Sequence, residues 1–168
     1  METYSFWIGM LGTVAFAIST VLAVSHKGID LFGASVMGII TAVGGGTIRD
    51  ITLGVPVFWA DEQYYIWVAL IFSVIAFYGR TLFSNKHIND LISYMDAAGI
   101  SLFAIMAADK VWDLGFGLPR APILLGIITA IGGGLFRDVL AGRPTLLMSR
   151  ELYAVPVMLG CTLYVISK

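Results

Sequence analysis

Charge is what this chain has least of. Of its 168 residues only 12% are charged, about half the share that a soluble domain carries. Hydrophobic residues make up 58% and the mean hydropathy is +0.89, so the expected solvent is a lipid bilayer. Cysteine is nearly absent. The single Cys161 sits in an apolar segment, which excludes an intramolecular disulfide and suggests no zinc site. A net charge of -1 gives no reason to expect nucleic acid. The N-terminal METYSFWIGMLG lacks the basic region of a signal peptide, so the first apolar run reads as a retained span. There is no Ser-His-Asp set, no Cys-His cluster and no phosphate loop, because GGGTIRD is not followed by Gly-Lys-Ser/Thr. With no candidate catalytic residues, an enzyme is not expected, and no cofactor or metal site is expected either.

What is present is a series of apolar runs. A spanning helix needs about 20 mostly apolar residues, and six candidates lie at 4–24, 31–48, 64–83, 91–108, 121–136 and 152–166. Short linkers with turn residues separate them: HKGID, GVPVFWADEQ, SNKHIND, WDLGFGLPR and GRPTLLMSRE. The expected fold is an all-α polytopic membrane protein with no room for a soluble domain. Pro156 in the sixth run is tolerable inside a membrane helix.

The chain is also a duplication. GIITAVGGGTIRDITLGVP (38–56) and GIITAIGGGLFRDVLAGRP (126–144) agree at 12 of 19 positions with a constant offset of 88. Upstream, Gly12 and Phe16-Ala17-Ile18 match Gly99 and Phe103-Ala104-Ile105 at offset 87. The halves divide at 1–88 and 89–168, three spans each. Three is odd, so the second half enters from the opposite side, giving two inverted three-helix repeats about an axis in the membrane plane. The first, third and fifth linkers hold Lys27, Arg80, Lys86, Arg143 and Arg150. The second and fourth hold Asp61, Glu62 and Arg120. The basic side should be cytoplasmic, which puts the N-terminus outside.

Each repeat carries three consecutive glycines, Gly44-Gly45-Gly46 and Gly132-Gly133-Gly134, followed by the doublets Arg49-Asp50 and Arg137-Asp138. Glycine weakens a helix interior by about 1 kcal/mol relative to alanine, so the second and fifth helices are expected to be broken there. Irregular backbone survives in lipid only against protein or a wet cavity. One reading is therefore a kinked helix lining a permeation path; the other is close helix packing, since glycine lets backbones approach. Intramembrane charges face a cavity or a partner. Adjacent helical residues do not face one another, so each Arg and its own Asp are expected to seek other partners. The competing reading has the arginines snorkelling to headgroups.

Asp96, where the first half has Gly9, either lines a path or sits at the interface. Lys110 beside Asp109 is either an anchor or a gate. Ala15, Ser19 and Ala23 have the small-xxx-small spacing of helix packing. His26 and His87 fall in linkers, and Trp7, Tyr64, Tyr65 and Trp67 at span ends suggest an aromatic belt.

GTVAFAIST, KGIDLFG, TAVGGGTIRDITLGVPVFW and TAIGGGLFRDVLAG together resemble the tandem repeat of a bacterial membrane family labelled glycine transporters, which is similar to the trimeric intracellular cation channels of animal reticulum. The resemblance covers both halves. It implies a homotrimer with one pore inside each protomer, passage of K⁺ and Na⁺, and pore-shaping kinks at the two glycine triplets with Arg49, Asp50, Arg137 and Asp138 beside them. Bound species would be the permeant ions and membrane lipid. The family has seven spans as a rule and six are read here, a difference that bears on stability and C-terminal side more than on permeation. Two functions stay open: a K⁺- and Na⁺-permeable channel of the inner membrane, and a secondary transporter for a small solute such as glycine, whose usual signature is also inverted repeats with broken helices.

Overall fold

The computed structural model describes residues 2–82, 85–145 and 154–168, and among them every regular element is helical. The chain runs α1 (Glu2–Val24), a 3₁₀ turn (Ser25–Lys27), α2 (Leu31–Leu53), a short α3 (Phe58–Asp61), α4 (Tyr64–Gly79), a 3₁₀ turn (Arg80–Leu82), α5 (Asn85–Asp113), α6 (Arg120–Leu140) and α7 (Ala154–Ile166). The helices of the first, second, fourth and fifth expected spans are long and apolar enough to cross a membrane. The third helix of each repeat is shorter: α4 has 16 residues and α7 13, where about 20 are needed. The start of the sixth expected span, the end of the third at Phe83, and Arg150 lie outside the described residues.

Local chemistry sets the ends of the glycine-bearing helices. Asp30 caps α2 by accepting from Gly33 N at 2.8 Å. Gly54, with φ +68°, and its counterpart Gly142, with φ +56°, close the two helices in the left-handed region that favours glycine. Just beyond them Val55 N donates to Asp50 O at 3.1 Å and Arg143 N to Asp138 O at 2.8 Å. The G-x-P that follows each Arg-Asp doublet is thus a helix stop, repeated because the helix it ends is repeated.

The repeats, α1-α2-α4 and α5-α6-α7, are inverted. Equivalent helices pack on one another, α1 on α5 and α2 on α6. Along α1 and α5 the partners change in opposite directions. Gly9 meets Met106, Gly12 meets Phe103, Phe16 meets Gly99, and Leu22 and Ala23 cluster with Ile92. That order is antiparallel. Phe16 and Phe103, equivalent residues, stack on each other with ring centroids 5.5 Å apart and planes 19° apart, both almost fully buried. They mark the pseudo-two-fold axis in the core.

Several expectations are corrected. Both α2 and α6 are continuous α-helix through their glycine triplets, because the missing side chains are filled by a neighbouring helix and the intrahelical hydrogen bonds need not be given up. They also extend past the expected ends, to Leu53 and Leu140, so each charged doublet lies within its helix. The second linker contains α3. His87 stands in the first turn of α5, which starts at Asn85, so residue 88 falls inside a helix. Tyr65 is buried at 4% exposure, edge-on to Phe58 at 4.7 Å, whereas Trp7, Tyr64 and Trp67 are outward and exposed as a belt requires. Ala15, Ser19 and Ala23 are buried, as a packing face should be.

Candidate functional site

The glycine triplets meet where α2 and α6 cross. A Cβ placed on Gly45 would run into the carbonyl oxygen of Thr129, and one on Gly133 would lie 3.0 Å from the carbonyl oxygen of Thr41. These two contacts exchange under the offset of 88, so the crossing itself obeys the internal symmetry. A Cβ on Gly132 would lie 3.1 Å from the Gly45 Cα, one on Gly44 2.6 Å from the Phe136 ring, and one on Gly46 2.5 Å from the Phe58 ring. Gly134 is buried in the same helix. Glycine is required here for close approach, and of the two readings of the triplet the geometry displays the packing one directly.

Both doublets are buried, contrary to the snorkelling reading: Arg49 is 1% exposed and Arg137 2%. The expectation that each Arg and its own Asp part company is also corrected. Arg49 Nε donates to Asp50 Oδ1 at 2.8 Å, and Arg137 Nε to Asp138 Oδ1 at 2.9 Å. Backbone spacing alone misleads here, because a side chain as long as arginine curls back across the 100° between neighbours.

Each pair then recruits a third charge, and here the halves diverge. Asp50 Oδ1 also accepts from Lys110 Nζ at 2.9 Å, while its Oδ2 accepts from Phe58 N at 2.9 Å. Arg137 Nη1 donates to Asp96 Oδ1 at 2.5 Å and more weakly to Ser19 Oγ at 3.5 Å. The first cluster is one carboxylate between two cations; the second is one guanidinium between two carboxylates. Asp96 replaces Gly9 of the first repeat, and Lys110 replaces Ala23, so both third charges come from α5. Buried ions that are paired and hydrogen-bonded avoid the large cost of isolated ones.

A cavity lies against each cluster. The larger, about 500 Å³, is lined at its inner wall by Arg49, Lys110 and Phe58 and at its mouth by Asp61, Glu62 and Asp113. The smaller, about 200 Å³, is lined by Asp96, Arg137, Asp138 and Ser93, with Arg143 and Pro144. Asp96 and Lys110 stand 14 positions apart on α5, roughly 21 Å at 1.5 Å per residue. The cavities therefore approach from opposite ends of the bundle, and the glycine crossing and the Phe16–Phe103 stack lie between. Arg49, Lys110, Asp96, Arg137 and Asp138 line the cavities, and Asp50 stands behind Arg49 and Lys110, bonded to both.

One cluster was not anticipated. Asp109 accepts from Tyr164 Oη and pairs with Lys168 Nζ at 2.7 Å, tying α5 to the end of α7. The hydrogen bond to Asp109 holds the Lys168 ammonium above the usual lysine range. Only the lone acid beside Lys110 hinted at it, and its partners lie 55 and more residues away.

Comparison with known proteins agrees with this architecture. The family model described as "Glycine transporter" matches twice, at residues 6–81 and 93–168. The Escherichia coli UPF0126 inner membrane protein YadS is 36% identical over 92% of this chain and 74% of its own length. The Bacillus subtilis UPF0126 membrane protein YvgT is 36% identical over 91% of this chain and 75% of its own. Among solved structures, the trimeric intracellular cation (TRIC) channel orthologue from Rhodobacter sphaeroides superposes with a TM-score of 0.91 at 34% identity, covering 98% of this chain and 84% of that one. A prokaryotic TRIC channel in 0.5 M KCl gives 0.87 at 29% identity, covering 99% and 96%. These structural neighbours are cation channels and not enzymes.

Proposed function

The chain belongs to the UPF0126 family of membrane proteins, matched by the glycine-transporter family model, and on that premise we propose that it is a K⁺- and Na⁺-permeable channel with one pore inside each protomer of a homotrimer. The carrying observation is the pair of charged cavities, one lined by Arg49 and the other by Arg137, that lie toward opposite ends of the bundle on either side of the glycine crossing. The path runs from one to the other, past Gly44, Gly45 and Gly46 on α2 and Gly132, Gly133 and Gly134 on α6. Acidic side chains draw cations toward a pore: Asp61, Glu62 and Asp113 at the larger cavity, Asp96 and Asp138 at the smaller. Arg49 and Arg137, locked to Asp50 and Asp138, stand at the two inner ends and hold the state seen here closed. The structural neighbours support the assembly and the ion, since they are named as trimeric and as cation channels.

The chain is placed in the bacterial inner membrane with its N-terminus outside, on the basic linkers of the opposite side. Residues 1–88 and 89–168 form the two repeats of one membrane domain. The second reading is a transporter of a small solute, favoured by the family description and by inverted repeats meeting near the midplane. Single-channel recording of the purified protein in planar bilayers separates them. Discrete K⁺ current steps are expected; saturable solute uptake with no steps would replace the channel by the transporter.

A further inference from the structure

Among the described residues, three side-chain polar atoms are unpartnered and fully enclosed: Thr41 Oγ1, Arg49 Nη1 and Ser73 Oγ. The Tyr65 hydroxyl is unpartnered but not enclosed. Tyr65 is 4% exposed and lines the larger cavity, so the opening its hydroxyl keeps is onto that cavity. A Cβ placed on Gly9 would meet this oxygen at 2.5 Å and Met106 Sδ at 2.9 Å. Met106 is the α5 residue of the lining furthest from the helix end at Asp113. The hydroxyl therefore stands at the cavity floor. Held there without a partner it is unfavourable, and an oxygen brought in by a ligand would answer it.

The mouth has a different demand. Asp61 and Glu62 are exposed there and, among the described residues, form no ion pair. Asp113, also exposed, is answered only by Lys168 at 4.0 Å. A cation is wanted at this end. The floor excludes one, because Lys110, one-third exposed, and Arg49 stand in the same wall and repel a second positive charge. Between the two zones the lining is apolar, with Phe6, Phe58 and Leu114. Met106 and Asp113 lie seven positions apart on α5, roughly 10 Å at 1.5 Å per residue. An inorganic cation would answer the mouth and leave the apolar wall and the Tyr65 hydroxyl unused. A two-carbon solute such as glycine is too short to serve both ends. The volume of about 500 Å³ is that of a small-molecule site.

We propose that the larger cavity binds an organic monocation of the ω-amino alcohol class. Its ammonium lies at Asp61 and Glu62, its hydroxyl on the Tyr65 hydroxyl, and its apolar spacer along Phe6 and Phe58. The ligand goes beyond the channel reading and does not depend on it.

The probe is tritiated aminohexanol, whose amine and hydroxyl stand at opposite ends of six carbons. Equilibrium dialysis against the full chain in phosphatidylcholine nanodiscs measures it, with empty nanodiscs as the blank. Saturable binding is expected. Hexylamine, which lacks the hydroxyl, should compete several-fold less well, and hexanol and ethanolamine at least ten-fold less well. Tyr65→Phe removes only an unpartnered oxygen, so the variant should fold. It should erase the advantage of aminohexanol over hexylamine and keep that over hexanol. Asp61→Asn/Glu62→Gln changes only exposed residues and should do the reverse. A general loosening of the fold would lower both advantages together, so the split between the variants reads the two ends of the site. No saturable binding, ethanolamine competing as well as aminohexanol, or both advantages unmoved by the two variants overturns the proposal. Current recordings on the same preparation report on the channel separately, so loss of one leaves the other standing.

Discussion

The two Arg-Asp motifs began as copies and now differ in one added charge each. In the first half the added group is Lys110, one-third exposed, on a carboxylate that is fully buried. In the second it is Asp96, almost fully buried, on a buried guanidinium. Counting Arg49, Asp50 and Lys110 the first set sums to one positive charge, and counting Arg137, Asp138 and Asp96 the second sums to one negative. Duplication preserved what the helix crossing needs, namely glycine contacts, helix stops and Arg-Asp pairs. It left free the third charge that each cavity receives. The comparison therefore separates a shared frame from an added charge: the symmetric features fix the crossing and the Arg-Asp pairs, and the asymmetric ones set the charge beside each cavity.

The widest gap between the halves should appear on neutralising the arginines. Arg137→Gln removes the guanidinium that both Asp96 and Asp138 meet in the interior. Breaking a buried pair by removing one partner costs about 3–5 kcal/mol. Arg49→Gln leaves Asp50 still held by Lys110 and by Phe58 N, so its cost should be less than half as large. Thermal unfolding of the purified variants, followed by tryptophan fluorescence, checks this. Equal losses would show that the third charges do not distinguish the clusters. On the channel reading Arg49→Gln also changes the current, because Arg49 borders the larger cavity.

A smaller gap is expected at the glycines. Gly45→Ala puts a methyl into a backbone carbonyl that cannot move without shifting α6, whereas Gly133→Ala meets Thr41 O at 3.0 Å and can be absorbed by a shift of a few tenths of an ångström. Overpacking of this kind costs about 1–3 kcal/mol, with Gly45 at the upper end and Gly133 at or below the lower. Size-exclusion profiles and melting temperatures of the two variants give the order. If Gly133→Ala were the worse, the crossing would be tighter on the α6 side than its geometry says.

How much of this was legible in the sequence follows the same division. The bilayer setting, the six helices, the duplication and its inversion were all readable, since apolar runs and a nineteen-residue repeat are long signals. The motif residues were found because they recur. Their meaning was only half legible: the glycines were expected to break helices that remain continuous, since helix propensity is a local quantity while the contact with Thr129 lies 84 positions away. The internal Arg-Asp pairs were missed because side-chain length was left out of the spacing rule. Asp96 and Lys110 could be flagged as charges inside an apolar helix, but nothing local says that one answers Arg137 and the other Asp50. The Asp109–Tyr164–Lys168 tie, between the first and last helices of the second repeat, left almost no trace.

A weaker effect is expected from the third charges themselves. Lys110 is part-exposed, so its pair with Asp50 is screened and Lys110→Met should alter stability by no more than about 1 kcal/mol. On the channel reading it removes a positive charge from the wall of the larger cavity and should raise cation current. Asp96→Asn removes a negative charge from the smaller cavity and should lower it. Recordings at matched K⁺ on both sides check the signs. Shifts of the same sign would mean that the two cavities do not lie on one path.

The halves should not differ at all at Phe16 and Phe103. The rings stack across the pseudo-two-fold axis, both are at most 2% exposed, and each packs against the glycine one turn from the other, Phe16 on Gly99 and Phe103 on Gly12. Phe→Leu at either position removes the same face of the same stack, and each aromatic pair is worth about 0.5–1.5 kcal/mol beyond its buried area. Phe16→Leu and Phe103→Leu should therefore lower the melting temperature equally, within about 0.5 kcal/mol of each other. The double variant should cost less than the two added together, because the stack is already lost in either single one, and coupling of this kind is what contacting residues show. Unequal single costs, or full additivity, would place the asymmetry in the core of the bundle itself, and the clean separation between a shared frame and an added charge would fail.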